Sequence, residues 1–393
     1  MKICLVSSEY PPETGGGGIG TQTYVKAQGL SARGHEVHVL SASWDHESRL
    51  QRDNAITIHR IGEPRLQVPG YELSTYWLAY SLAVAQNLHR LSQQIAFDII
   101  QFPEYGGEGF VFQTDTFEYR RARYVVQCHG PLGMFVDHMG WPERGSTLER
   151  IGCFLEGTVL HYADLVLASS HCTAAICAQR YGYPVEKIAV IHSGIDTAQF
   201  APRPAPADEH RPRVLFVGNF VGNKGFELTV KTVLRLRQRY PRILLRAIGK
   251  ADRQRVQQVR DWVAAEGAAE NFEIRGYVPY RELPEHYAWC DFFCGPSSFE
   301  GGPGNIYLEA MACARPVIAC HTGGVPEVVE HGQRGLLIPP RDTAALEEAM
   351  ARLTEQPELR ERLGRNGRAW VEQNVAQDKY IDKCERLYRG LLS

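Results

Sequence analysis

The chain has 393 residues, long for one domain and comfortable for two, each large enough to bury its own core. An apolar fraction of 44%, a charged fraction of 22% and a formal net charge of −2 describe an ordinary globular protein and exclude fibrous, disordered and polyelectrolyte classes. No apolar run approaches ~20 residues, and Lys2 leads at once into the strand-like Ile3-Cys4-Leu5-Val6, so neither a membrane span nor a signal peptide is expected and a cytoplasmic location is.

Short apolar runs at residues 3–7, 36–41, 99–102, 124–128 and 165–168 alternate with amphipathic stretches, which predicts repeated β-α units around a parallel sheet. After the first run comes Glu9-Tyr10-Pro11-Pro12-Glu13-Thr14-Gly15-Gly16-Gly17-Gly18-Ile19-Gly20, with a helix expected from Thr21. Gly15, Gly17 and Gly20 satisfy G-x-G-x-x-G, but a dinucleotide fingerprint follows its strand directly, and here two prolines intervene. The segment reads as a mobile loop that closes on phosphate or substrate, or else as a flexible surface loop.

His35-Glu36-Val37-His38 lacks the i, i+4 spacing of a helical zinc pair. His129 ends the strand-like Val125-Val126-Gln127-Cys128, where it either meets a ligand or is a satisfied core histidine. The ten cysteines include no Cys-x-x-Cys and lie mostly in apolar stretches, as reduced core thiols do.

The pattern stops at 201–212, where four prolines and solvated charges mark a linker. A second β-α series follows at 213–217, 243–248, 272–275, 291–294, 316–319 and 336–339. The expected domains are therefore 1–200, 213–374, and a terminal helix at 375–393 that packs back on the first domain. Residues 1–210 hold 16 Lys and Arg against 22 Asp and Glu, whereas the remainder hold 27 against 23. The second half suits an anionic ligand, and the acidic first half argues against nucleic acid or anionic lipid as a partner.

The second series opens with Val217-Gly218-Asn219-Phe220-Val221-Gly222-Asn223-Lys224-Gly225, where Lys224 is placed to neutralise a diphosphate, or is simply solvated. Later, Ser298-Phe299-Glu300-Gly301-Gly302-Pro303-Gly304-Asn305-Ile306-Tyr307-Leu308-Glu309 sets two carboxylates around a glycine-rich turn. Asn305 is a suitable N-cap, and the helix from Ile306 points N–H groups at an anion. Glu309, one turn in, reaches hydroxyls beside that anion, and a diol next to phosphate is the ribose of a nucleotide.

In order along nearly the whole chain, Pro11-Pro12 with the glycine run, Gly34-His35-Glu36-Val37, His129-Gly130, Ile191-His192-Ser193-Gly194-Ile195-Asp196, Lys224-Gly225, Gly276-Tyr277-Val278-Pro279 and the block from Glu300 through Gly323-Gly324-Val325-Pro326-Glu327 resemble the retaining nucleotide-sugar glycosyltransferases of family 4. That resemblance implies the GT-B fold, an α/β architecture of two Rossmann-like doubly wound domains facing a cleft. It implies a nucleoside-diphosphate sugar as co-substrate, UDP-sugar favoured, with no metal and no further cofactor, and a saccharide or small-metabolite acceptor. By matching positions, Glu309 binds ribose, Lys224 the diphosphate, the backbone of Gly302, Gly304, Asn305, Ile306 and Tyr307 the sugar hydroxyls and phosphates, and Tyr277 with Val278 the base. His129 takes a donor-sugar hydroxyl, Gly17 and Gly18 lie near the diphosphate, and Glu300 borders the reacting carbon as nucleophile or charge stabiliser.

Two departures stand out. The paired glutamates are nine apart where the family has eight, with Gly301 at the expected place and Pro303 in the turn, and Asn219 replaces an arginine five residues before the lysine. A GT-B phosphorylase or epimerase, or a nucleotide-sugar-binding protein without catalysis, are the rival readings. Stable membrane anchoring is not expected.

Overall fold

The computed structural model describes residues 1–14, 17–62, 73–204 and 212–393. The chain divides into two compact units, Met1–Gly194 with Gln377–Ser393, and Ile195–Ala376. The expected linker at 201–212 lies partly outside the described residues, since 205–211 are not among them.

The first unit runs β1 (Lys2–Val6), α1 (Gly18–Ala32), β2 (Glu36–Ala42), β3 (Arg49–Asp53), β4 (Ile56–Ile61), α2 (Leu73–Gln94), β5 (Ile99–Pro103), α3 (Phe110–Thr116), β6 (Arg123–Cys128), α4 (Leu132–Met139), α5 (Thr147–His161), β7 (Leu165–Ala168), α6 (His171–Tyr181) and β8 (Ile188–Val190). Its described strands are ordered β3-β4-β2-β1-β5-β6-β7-β8. All pairings are parallel except β3 with β4. Alternate residues of β1 feed opposite faces: Ile3 and Leu5 enter one core cluster with Val39 and Leu167, Cys4 and Val6 the other with Phe102 and Tyr124. Strand order reverses at β1, so the loops after β1 and β5 part there, as at a ligand-binding switch point.

The second unit runs β9 (Arg213–Val217), α7 (Phe226–Leu236), β10 (Leu244–Ile248), α8 (Arg253–Ala265), β11 (Phe272–Gly276), α9 (Leu283–Trp289), β12 (Phe292–Gly295), α10 (Asn305–Ala312), β13 (Val317–Cys320), β14 (Gly335–Ile338), α11 (Thr343–Glu355) and α12 (Pro357–Asn374). The sheet order is β11-β10-β9-β12-β13-β14, parallel throughout, with its reversal at β9. Glycines close the strand ends tightly: a Cβ on Gly249 would lie 1.7 Å from the Gly218 carbonyl oxygen.

The last helix, α13 (Gln377–Leu392), belongs to the first unit. Its Tyr380, Ile381, Cys384 and Tyr388 join the core on β1 and β2. Gly29 lets α13 approach α1, since a Cβ there would meet Ile381 at 2.4 Å. Arg33 then binds Asp382, Glu385 and the Asp378 carbonyl.

Two expected boundaries are corrected. Helix α1 begins at Gly18, with Gly17 as N-cap, rather than at Thr21. The Glu9 carboxylate accepts the Gly20 N–H at 3.2 Å, and the missing Cβ of Gly20 leaves room for the Glu9 backbone, which carries the helix back through the glycines. In the second unit Gly304, at φ 75° and with no side chain to cap with, is the N-cap, and Asn305 is the first helical residue. Only glycine takes that backbone conformation without strain.

Candidate functional site

Three segments of the second unit converge at the carboxyl ends of its strands. After β9 a short 3-10 turn, Gly222–Lys224, leads into Gly225. Gly225 sits at φ 74° with its absent Cβ 2.2 Å from the Pro296 carbonyl oxygen, so glycine alone fits. The turn after β12 is pinned alongside: the Ser298 N–H donates to the Asn223 carbonyl at 2.8 Å. The Glu300 carbonyl accepts the Gly324 N–H at 2.9 Å, and a Cβ on Gly323 would stand 1.8 Å from that oxygen.

The result brings Lys224 and Glu300, 76 positions apart, to 2.6 Å between Nζ and Oε1. With side-chain exposures of 29% and 16%, the pair is partly desolvated yet open to a ligand. Glu300 therefore stands at the site despite the lengthened turn. An ammonium at this strand edge binds a phosphate as readily as a carboxylate.

Glu309 is 3% exposed. Burial pushes its carboxyl up to about 7, opposed by the Tyr287 hydroxyl, which donates to Oε2 at 2.7 Å. Gly302, Gly304, Asn305 and Ile306 are half-buried along the turn and first helical residues. Tyr307 contributes less than expected: its side chain is fully buried, its hydroxyl donates to the Gly295 carbonyl at 2.6 Å, and its N–H goes to the Gly304 carbonyl. It fastens α10 to β12 and has no N–H left over for an anion.

Asn219 is exposed on the turn after β9. Tyr277 follows β11 and is 57% exposed, whereas Val278 packs on the core beneath it. Lys250, which the sequence reading passed over, stands directly after β10 with Nζ 5.9 Å from the Tyr277 ring centre. Its carbonyl accepts the Phe220 N–H at 3.4 Å, so its backbone lies beside the Asn219 turn. Its position after a strand-end glycine was the available signal. Tyr287 carried none, being one aromatic among the apolar residues of α9.

In the first unit His129 follows β6, half-buried. Its N–H and that of Gly130 both donate to Glu104 Oε1 at 2.6 Å. Desolvation, with the Lys26 ammonium second, pushes the imidazole down to about 3, so the ring is neutral. Glu104 is fully buried, its Oε2 lacks a hydrogen-bond partner among the described residues, and burial, aided by Glu156, pushes its carboxyl up to about 8. Lys26 is itself buried, donating to Gln101 at 2.7 Å and Gln127 at 3.2 Å.

Gly17 and Gly18 are exposed at the start of α1, and a Cβ on Gly17 would come within 2.9 Å of the Glu9 carboxylate. The expectation of a mobile loop is corrected for residues 9–14. The buried Arg60 donates to the carbonyls of Tyr10 at 3.0 Å and Ala42 at 3.3 Å and lies 3.3 Å from Glu13. Glu13 is also held by Arg49, Gln51 and the Trp44 N–H. Gly15 and Gly16 lie outside the described residues. Among the described residues no helix is long and apolar enough to cross a membrane.

Two family profiles tile the chain: "Glycosyltransferase Family 4" matches residues 16–199 and "Glycosyl transferases group 1" residues 198–370. A GDP-mannose-dependent alpha-(1-6)-phosphatidylinositol monomannoside mannosyltransferase of Mycolicibacterium smegmatis is 28% identical, over 95% of this chain and 94% of its own. An alpha-maltose-1-phosphate synthase of the same organism is 27% identical over 99% of both. Among solved structures, sucrose-phosphate synthase from Thermosynechococcus elongatus superposes with a TM-score of 0.83 at 23% identity, covering 100% of this chain and 99% of its own. Anabaena HepE, in complex with UDP and glucose, gives 0.73 at 19%, covering 99% and 100%.

Proposed function

This chain belongs to glycosyltransferase family 4, and from that premise we propose that it moves a sugar from a nucleoside-diphosphate sugar to a hydroxyl of a saccharide or small metabolite, with retention at the anomeric carbon and without a metal. The observation that carries the reading is the convergence of Lys224, Glu300 and the α10 N-terminus at one strand edge, with Glu309 one turn inward. Lys224 and the N-terminal turn of α10 take the diphosphate, stabilising the charge that develops as it leaves. Glu309 accepts the ribose hydroxyls, and Tyr277 with Val278 forms the platform for the base. Lys250 supplies the cation that Asn219 does not.

In the transfer the bond from the anomeric carbon to phosphate oxygen breaks and a bond to acceptor oxygen forms on the same face. The departing phosphate oxygen takes the acceptor's proton. Glu300 lies beside the anomeric carbon and stabilises its positive charge. Neutral His129 hydrogen-bonds a donor-sugar hydroxyl, and Gly17 and Gly18 approach the diphosphate. The same proposal places the donor on the second unit, the acceptor on the first, and the protein in the cytoplasm.

For the base, no residue names one; the family resemblance favours uridine, while the 28% identical relative is named for GDP-mannose. A thermal-shift panel of UDP, GDP and ADP with their sugars separates the two. A clear shift with one base supports the reading, and equal, negligible shifts for all of them would sink it. A second reading, a nucleotide-sugar binder without catalysis, draws on Asn219 and the lengthened glutamate turn; binding without hydrolysis or transfer would favour it.

A further inference from the structure

Glu309 alone does not explain how a buried carboxylate is held ready for a diol. It is 3% exposed on α10, and the hydrogen-bond donor that meets it is the Tyr287 hydroxyl of α9, 2.7 Å from Oε2. That hydroxyl lies farther, 3.3 Å, from the Ile306 carbonyl in the first turn of the same helix. A phenol has one proton, and the shorter contact to the stronger acceptor claims it. The ring cannot swing away: Tyr287 is fully buried, with Phe293 at 5.7 Å and Phe200 at 6.0 Å between ring centres.

We infer that Tyr287 is a positioning residue for nucleotide recognition: its hydroxyl occupies one lone pair of Glu309 and fixes the carboxylate plane, leaving the remaining lone pairs aimed at the two vicinal hydroxyls of a ribose. This rests on the proposed role of Glu309 as the ribose ligand. A carboxylate offers about four acceptor sites; with one taken by Tyr287, the rest suffice for both hydroxyls of a cis-diol. Without the phenol the side chain is free to rotate about its last torsion, and no donor among the described residues supports its charge.

The consequence is a specificity for ribose over sugars lacking those hydroxyls. A site built to bond a hydroxyl discriminates strongly against the ligand without it, because buried polar atoms are left unpaired. Among the described residues the titratable groups that face Glu309 are Tyr287 on α9 and the Cys313 thiol just beyond α10, both neutral, so ionisation of Glu309 depends on the phenol's hydrogen bond. Removing it moves the carboxyl further above its present position and the loss of diol binding to higher pH.

The test is calorimetric titration of the full chain with UDP and with 2′,3′-dideoxy-UDP, and with the guanosine pair in parallel, for wild type, Tyr287→Phe and Glu309→Gln. Phenylalanine keeps the ring and its packing, and an unchanged melting temperature certifies the fold. In wild type the diphosphate with both hydroxyls binds on the order of 100-fold more tightly than its dideoxy counterpart. Tyr287→Phe lowers that ratio about tenfold, leaves dideoxy affinity within about twofold, and raises the pH midpoint of the ratio. An unchanged ratio and midpoint, or equal loss for both ligands, overturns the inference. If Glu309→Gln loses the ratio while Tyr287→Phe keeps it, the ribose role stands and the positioning role falls. If Glu309→Gln keeps the wild-type ratio, the ribose role fails and the inference goes with it.

Discussion

Replacing Glu300 by glutamine should raise affinity for a free nucleoside diphosphate while lowering transfer. In the unliganded protein Glu300 holds the Lys224 ammonium at 2.6 Å, so a diphosphate must compete for that cation and approach a carboxylate of its own sign. The ammonium keeps a charge-assisted bond to the glutamine oxygen, about 1.5–3 kcal/mol like the one it replaces, so what the substitution relieves is the Coulombic part of the pair, about 1 kcal/mol or less for partly exposed groups. The exposures of 29% and 16% put the pair between buried and surface regimes, so a relief of about 1 kcal/mol is expected. That is roughly a 5-fold fall in the diphosphate dissociation constant. If Glu300 stabilises the anomeric cation, the same change costs on the order of 100-fold in transfer rate. Calorimetry with UDP and GDP gives the first number and release of nucleoside diphosphate from the donor the second. Weaker diphosphate binding together with near-normal transfer would refute both halves of the reasoning.

Three further outcomes follow from the same contacts. The Glu104 carboxyl, pushed up to about 8 in the fold from the ordinary ~4.3 of an exposed glutamate, keeps its proton where the unfolded chain has lost it. Stability should therefore fall as pH rises from about 4.5 toward 8, by up to about 1.4 kcal/mol per unit. Glu104→Gln, whose amide still accepts from the His129 and Gly130 N–H groups, should flatten that slope in melting curves; an unchanged slope contradicts the assignment. Gly225→Ala should destabilise the second unit by at least about 2 kcal/mol in urea unfolding, because it adds left-handed strain to the 2.2 Å contact with Pro296. Arg60→Met should cost about 1–3 kcal/mol and speed proteolysis at residues 9–14, since it removes a buried donor to the Tyr10 and Ala42 carbonyls while Glu13 keeps Arg49, Gln51 and the Trp44 N–H; wild-type resistance would show that the loop is held otherwise.

Most strands were legible because continuous apolar runs are what a parallel sheet buries on both faces. The exceptions have physical reasons. Strand β3, Arg-Leu-Gln-Arg-Asp, is an antiparallel edge with polar, half-exposed residues, β4 interrupts its isoleucines with Thr57, His59 and Arg60, and β8 has only three residues. Lys224 and Glu300 could be paired in advance because each follows a strand, and strand ends share one edge of the sheet. Glu104 and Tyr287 could not, since their importance lies in contacts 25 and 22 positions distant that no local pattern encodes. The capping error at Asn305 has a local cause: a left-handed Gly304 supplied the turn that an asparagine side chain was expected to cap.

The central claim, that the second unit is built to hold a nucleoside diphosphate sugar by its ribose and diphosphate, is tested most directly by calorimetry of the full chain with UDP-glucose and GDP-mannose, repeated for Lys224→Met and Glu309→Gln. Saturable binding of one donor, weakened about tenfold or more by each substitution, is the predicted result. Binding of neither donor, or binding that both substitutions leave untouched, would contradict it.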